Sequence, residues 1–183
     1  MNLQVVASVA PLLGWAIHGG ILTRRLAAVR RDPLTRLHTR SGWTARAEHL
    51  IRRCPDAAVL LVDLDHFKTL NDTHGHPAGD AALVETADRL QTWCGRNGVA
   101  GRLGGDEFVA VVRHLTAADL DALTAALHRP LPYNDLSLPL AASVGACRVA
   151  DLPLPALTDA LAAADAAMYA AKGRGRRGSR TTG

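Results

Sequence analysis

Two short acidic segments carry residue types that suit a divalent cation and a phosphate. In VDLDHFK, Asp63 and Asp65 follow an apolar run, and in RLGGDEF two glycines precede Asp106 and Glu107. Paired glycines permit positive φ and let phosphates approach the backbone without obstruction by a Cβ atom. Mg²⁺ commonly takes one or two protein carboxylates and completes its shell with substrate phosphates. If the two segments lie on neighbouring strands, Asp63 and Asp106 converge on one hard cation.

Each segment alone also has a purely structural interpretation. Asp63 and Asp65 fit the polar end of a buried strand, where the chain turns and the two carboxylates need not act together. Gly104 and Gly105 fit a tight turn with solvated acids beside it, because Gly-Gly turns are common. The chemical interpretation therefore depends on the elements that bring the two segments together.

Hydrophobic patterning predicts those elements. The run at 57–63 is short, apolar and rich in Val and Leu, as in a buried strand. A β-hairpin is predicted around Gly104-Gly105, and a further strand at 142–149. Helical spacing predicts helices at 42–54, 77–93, 116–128 and 157–172. Helices interleaved with strands predict an α/β or α+β fold, with helices packed on a central sheet.

Composition excludes several classes of protein. The chain has 183 residues, of which 48% are hydrophobic and 4% aromatic. It can bury a sizeable core, so neither a disordered chain nor a coiled-coil rod fits. The scarcity of aromatics disfavours stacking on single-stranded nucleic acid. The three cysteines lack C-x-x-C spacing, which argues against structural zinc or a disulfide framework and suits a reducing compartment.

Positive charge is concentrated near the two ends of the chain. The net charge is +4, with one arginine cluster between residues 24 and 40 and a second basic cluster from Lys172 to Arg180. Both clusters fit solvated termini. The first also fits an anionic membrane surface and the second a phosphate-bearing ligand, and charge alone is compatible with non-specific binding of nucleic acid.

Residues 3–22 form an apolar segment without a formal charge, and arginines follow it at once. A helix of about 20 apolar residues spans a bilayer core, and basic residues beyond its C-terminal end would hold that side in the cytoplasm. We therefore expect a hydrophobic N-terminal helix and basic linker over 1–30 that anchors a cytoplasmic domain to the cell membrane. Pro11 and three glycines favour the alternative, an amphipathic or dimer-forming helix.

The motifs together resemble the GGDEF domain, the diguanylate cyclase family. The shared segments are DPLTRL at 32–37, DLDHFK at 63–68, NDTHGHPAGD at 71–80, RLGGDEF at 102–108, and the residues from Ala164 to Arg176. They occur in the order of the family and at compatible spacings. The resemblance covers 31–178 and leaves 179–183 as a flexible tail. It implies a fold like the palm of nucleotide polymerases, with a central, mostly antiparallel sheet flanked by helices.

The resemblance also implies roles for individual residues. Asp63, Asp106 and the backbone carbonyl of Leu64 match metal ligands, with Mg²⁺ as the expected ion and Mn²⁺ as an alternative. Asp106 matches the base for the attacking 3′-hydroxyl, and Glu107 an acid needed for activity. The substrate-binding positions are Asn71 and Asp80 at guanine, Lys68, Lys172 and Arg176 at the phosphates, and Phe67, His76, Gly104 and Gly105 in the same pocket.

The implied reaction converts two GTP molecules to cyclic di-GMP and two pyrophosphates, with one GTP held by each subunit of a homodimer. The family's product-inhibition site is an Arg-x-x-Asp sequence, whose positions here hold Gly95 and Gly98. We therefore expect no feedback inhibition through that site. Because every matched catalytic position is intact, an active cyclase is favoured over a catalytically silent module that binds GTP or cyclic di-GMP, and over a nucleic-acid binder.

Overall fold

A computed structural model describes residues 30–178. The main elements in chain order are β1 (His38–Thr39), α1 (Arg40–Arg53), β2 (Ala58–Leu64), α2 (Phe67–His74), α3 (His76–Cys94), β3 (Gly98–Gly104), β4 (Glu107–Val112), α4 (Ala117–Leu127), β5 (Leu131–Tyr133), β6 (Leu136–Leu138), β7 (Ala142–Arg148) and α5 (Leu157–Gly178). A 3₁₀ turn, Val149–Asp151, follows β7.

The central sheet has five strands in the order β1-β3-β4-β2-β7. β1 pairs with β3 in parallel, and the other three pairings are antiparallel. β2 is therefore a central strand, which explains why its residues read as a nearly continuous apolar run. β5 and β6 form a separate two-stranded hairpin.

The sheet buries apolar side chains on both faces, because alternate residues of a strand point to opposite sides. On one face, Leu60, Val62 and Phe108 pack with residues of α3 and α4. On the other face, Val59 and Val109 pack with residues of α1 and α5. The two faces therefore form a helix–sheet–helix sandwich, as the sequence predicts. A smaller cluster joins α3 to the β5–β6 hairpin.

The predicted elements are confirmed, with differences at their ends. The helix predicted at 157–172 continues to Gly178, past Gly173 and Gly175. α4 begins with a capping box, in which Thr116 and Asp119 hydrogen-bond each other's backbone amides. α2, β1 and the β5–β6 hairpin were not predicted. They are at most eight residues long, too short for a periodicity argument.

No helix within residues 30–178 is both long and apolar enough to cross a membrane. The segment 3–22, for which a membrane anchor is expected, lies outside the described residues, and so does the tail at 179–183. Both expectations stay predictions.

Candidate active site at one end of the sheet

The RLGGDEF segment forms the turn between β3 and β4. The strands separate from regular pairing at a bulge between Arg102 and Gly104. Gly104 has φ +149° and Gly105 has φ +51°, values in the region that favours glycine. Asp106 follows within the turn, and Glu107 begins β4. The predicted hairpin is therefore confirmed, and its turn geometry requires both glycines.

β2 lies beside β4, so the two acidic segments meet as the sequence predicts. Asp63 stands directly opposite Glu107 in the antiparallel register, and residues opposite each other share a face of the sheet. The backbone N–H of Leu64 donates to the carbonyl oxygen of Asp106 at 3.3 Å. The backbones of the two expected metal-binding segments are thus hydrogen-bonded to each other at this end of the sheet.

Lys172 of α5 contacts Asp63. Its Nζ atom lies 2.6 Å from Oδ1 of Asp63, and the side chains are 35% and 20% exposed. The partial exposure matters, because both groups remain accessible to an incoming ligand. A lysine expected at the phosphates and a carboxylate expected at the metal therefore lie in direct contact.

The two carboxylates of the DLD segment do not act as a pair. Asp63 bonds to Lys172, whereas Oδ1 of Asp65 accepts a hydrogen bond of 2.8 Å from the hydroxyl of Ser143. The backbone N–H of Asp65 donates to the carbonyl of Ala141. Asp65 thus connects the end of β2 to β7 and the residue before it, away from the contact between Asp63 and Lys172.

The expected guanine-reading residues lie on α2 and α3, two helices in contact that are joined at Gly75. The side-chain amide of Asn71 lies against the backbone of Gly79, where a Cβ atom would overlap its Oδ1 atom. Asp80 is the next residue and is exposed. Asn71 therefore lies beside the turn of α3 that carries Asp80.

The remaining expected substrate contacts have different surroundings. Lys68 on α2 is 87% exposed and pairs with Asp72 at 2.8 Å, and His76 is exposed at the start of α3. Phe67 is partly buried against the core and lines a mostly apolar cavity of about 240 Å³ between α2 and the segment 138–141. Arg176 lies on the last turn of α5, where only the backbone is described.

Two residues with an evident part in the site received no role from the sequence. Arg102 donates to the carbonyl of Gly105 from Nε at 3.0 Å and from Nη2 at 2.7 Å. Its Nη1 atom donates to Asp32 at 3.0 Å. Both residues belong to motifs of the resemblance, RLGGDEF and DPLTRL. Their places in these motifs could have singled them out, but sequence spacing could not show that the two side chains are in contact.

Asp32 is held as a carboxylate. Burial acts to raise its pKa, but hydrogen bonds from the amide and hydroxyl of Thr35 and from Arg102 outweigh it, so the pKa lies below its usual value. Each of those donors stabilises the charged form. Arg102 consequently faces a permanent negative charge at neutral pH.

Within residues 30–178, no three carboxylate, imidazole or thiol groups converge closely enough to hold a metal ion by themselves. The donors at this end of the sheet are oxygens, which suits Mg²⁺. The contact between Asp63 and Lys172 also shows that the Asp63 carboxylate has a cation as its neighbour. An ion bound here would draw its remaining ligands from substrate phosphates and water.

Comparison with known proteins identifies the family. Residues 29–178 match the family model for the diguanylate cyclase, GGDEF domain. The chain belongs to this family.

Three relatives illustrate the match. An uncharacterized 19.3 kDa protein in the repSA 5′ region of Streptomyces ambofaciens is 76% identical over 98% of both chains. A probable diguanylate cyclase of Escherichia coli K12, DgcC, is 34% identical over 96% of this chain and 51% of its own length. The crystal structure of a sensory box/GGDEF family protein from Caulobacter crescentus is 39% identical, with a TM-score of 0.72, over 79% of this chain and 99% of that one.

The predicted family and fold are thereby confirmed. The chain spans nearly all of the Streptomyces protein but only 51% of the Escherichia coli relative. The comparisons do not test the roles of individual residues, which stay predictions.

Proposed function

We propose that this protein is an active diguanylate cyclase that condenses two GTP molecules into cyclic di-GMP and two pyrophosphates. The observation that carries the proposal is that β2 and β4 bring the segments of Asp63 and Asp106 side by side, with Lys172 in contact with Asp63. Carboxylates on adjacent strands with a lysine beside them are residue types that suit a metal–triphosphate substrate. The family match is the independent support.

In the proposed reaction, the 3′-hydroxyl oxygen of one GTP attacks the α-phosphorus of the other. A phosphorus–oxygen bond forms, the bond to the pyrophosphate breaks, and the hydroxyl proton passes to a base, for which we propose Asp106. A second, identical transfer closes the ring. Lys172 and Arg176 stabilise the negative charge of the leaving pyrophosphate.

We propose Asp63, Asp106 and the carbonyl of Leu64 as the ligands of Mg²⁺. When bound, the ion would spread the charge that develops on the phosphoryl oxygens. The protein's own contribution is to hold these groups on adjacent strands. Lys172 must move from Asp63 towards the phosphates when the substrate enters.

We propose that Asn71 and Asp80 select guanine. Guanine presents N1–H and N2–H₂ donors beside its O6 acceptor, and a carboxylate with an adjacent amide matches that edge. Adenine would leave buried groups unpaired. The close contact of Asn71 with Gly79 supports this assignment, because it sets the position of the amide.

Each chain supplies half of the site in this proposal. A single chain holds one GTP, so two chains must face each other to bring the second nucleotide to the first. Holding two reactants in this way supplies much of the rate enhancement. We therefore propose a homodimer as the active form.

We also propose that product does not inhibit the enzyme through the family's Arg-x-x-Asp site. Gly95 and Gly98 occupy its two positions and offer neither a guanidinium nor a carboxylate. At Gly98 a Cβ atom would lie 2.6 Å from the carbonyl oxygen of Val111, so an aspartate has no room there. At saturating GTP, where competition at the substrate site is suppressed, cyclic di-GMP should cause no inhibition that depends on residues 95–98. Tight binding of cyclic di-GMP to Asp106→Ala that requires Arg96 would contradict the proposal.

The central test is product formation. Purified protein with GTP and Mg²⁺ should yield cyclic di-GMP, identified by mass spectrometry, and Asp106→Asn should lower turnover by at least about 10²-fold with an unchanged circular dichroism spectrum. The matched control is Asp65→Asn, because Asp65 bonds to Ser143 whereas Asp63 bonds to Lys172. A demonstrably dimeric sample that binds GTP and makes no product would instead favour the silent binding module.

A further inference from the structure

The turn that carries Asp106 has few packing contacts of its own. Neither Gly104 nor Gly105 has a neighbouring atom within 4 Å of the place where a Cβ would stand. Both glycines are exposed. Side-chain packing therefore does not hold the tip of the hairpin, and a base in an unrestrained turn would lose the accurate placement that proton transfer needs.

Hydrogen bonds to the peptide units on either side of Asp106 supply that restraint. The carbonyl of Gly105 and the N–H of Asp106 belong to one planar peptide, and Arg102 donates to this carbonyl from two nitrogens. On the other side, the carbonyl of Asp106 accepts from Leu64. The backbone of Asp106 is thus held from both sides, once by a side chain and once by the neighbouring strand.

Asp32 holds the guanidinium in turn. Arg102 and Asp32 are 13% and 20% exposed, with 3.0 Å between their charged atoms, so their ion pair is shielded more than a surface pair. The carboxylate of Asp32 also accepts from the amide and the hydroxyl of Thr35. Thr35 is 4% exposed, which anchors the whole chain of contacts in the core.

We propose that Arg102 is a positioning residue for Asp106, and that Asp32 acts through Arg102. The side chain fixes the Gly105–Asp106 peptide plane and thereby aims the Asp106 carboxylate at the reacting groups. This inference rests on the proposed cyclase activity. The Arg102 guanidinium also connects the segment 32–37, where the chain enters the domain, to the turn that carries Asp106.

Steady-state kinetics with GTP tests the proposal. Arg102→Ala should lower kcat at least tenfold, a larger change than that in the KM for GTP, because the proposed nucleotide contacts of Asn71, Asp80 and Lys172 do not depend on the turn. Arg102→Lys should rescue little, since an ammonium cannot serve Gly105 twice and Asp32 at once. The matched control is Arg113→Ala at the other end of β4, which should keep the wild-type rate.

A double-mutant cycle separates Asp32 from a merely stabilising residue. Asp32→Ala should lower kcat less than Arg102→Ala does, and Asp32→Ala/Arg102→Ala should be no slower than Arg102→Ala alone. Losses that multiply, or a loss confined to KM, would overturn the proposal. If Arg102→Ala does not fold, Asp32→Ala and Arg102→Lys carry the same comparison.

Backbone order provides a readout independent of activity. In Arg102→Ala, the ¹⁵N order parameters of the Gly105, Asp106 and Glu107 amides should fall, whereas those of Arg113→Ala should match the wild type. Unchanged order at these amides would refute the positioning role. If the wild type makes no cyclic di-GMP, the proposed function fails, and these order parameters still decide whether Arg102 holds the turn.

Discussion

At the scale of single residues, the most informative contact is that between Asn71 and Gly79. In the proposed function Asn71 selects guanine, and the missing side chain at position 79 leaves room for its amide. Glycine inside a helix costs about 1 kcal/mol relative to alanine. The position therefore sacrifices helix stability for the placement of a neighbouring side chain.

We predict that Gly79→Ala weakens GTP binding at least tenfold without destabilising the fold. The new methyl group would displace the flexible amide of Asn71, while alanine favours the helix. Calorimetry with a non-hydrolysable GTP analogue and thermal unfolding give the two readouts. Asn71→Ala should show the same loss, and combining both changes should add nothing. Full affinity in Gly79→Ala would contradict the assignment of Asn71.

The cysteines offer a second residue-level test. Burial raises the pKa of the Cys94 thiol to about 12, and burial with the charge of Asp151 also raises the pKa of Cys147. The thiolate is the nucleophile, so both should resist iodoacetamide at pH 8 in the native state. Cys54 is partly exposed and should react first. Peptide mass spectrometry reads the order, and equal labelling of all three would contradict the described core.

At the scale of elements, buried Arg89 connects α3 to the end of α4 and the start of β5. Its guanidinium donates to the carbonyls of Leu127, Arg129 and Pro130, and to Glu85. These carbonyls lie at a helix C-terminus or in the loop after it, where no helical partner is available. One side chain thereby provides donors to three carbonyls of this connection.

We predict that Arg89→Met lowers the free energy of unfolding by about 2 kcal/mol, because it leaves the buried carbonyl of Leu127 and the part-buried carbonyls of Arg129 and Pro130 without their donor. Urea denaturation measures the loss. Arg96→Met is the matched control, since Arg96 is exposed and the same change there should cost less than about 0.5 kcal/mol. Similar losses in both variants would show that the network contributes nothing.

At the scale of the whole molecule, the proposed half-site makes catalysis depend on subunit encounter. We predict that activity per subunit rises with protein concentration and levels off as the dimer saturates. Initial rates and analytical ultracentrifugation over the same concentrations check this. An excess of Asp106→Asn should suppress the wild-type rate, because mixed dimers lack one base. Constant activity per subunit in a monomeric sample would contradict the homodimer.

The sequence alone determined the fold class, the main elements and the position of the two acidic segments at strand ends. Those features depend on local information. Apolar periodicity predicts helices and strands, and the Gly-Gly pair followed by two acids predicts the turn of a β-hairpin. The pairing of β2 with β4 was predicted conditionally, from the chemistry that required it. Short elements such as α2 were not predicted. α2 has only eight residues, which make barely two helical turns.

Only the tertiary structure decided which side chains touch. Lys172 and Asp63 are 109 residues apart in the chain, and Arg102 and Asp32 are 70 apart, so no local pattern relates them. Asp63 and Asp65 lie in one motif, yet Asp63 bonds to Lys172 of α5 and Asp65 to Ser143 of β7. Side-chain contacts depend on helix packing and strand register, which are set by burial over the whole chain rather than by spacing within a motif.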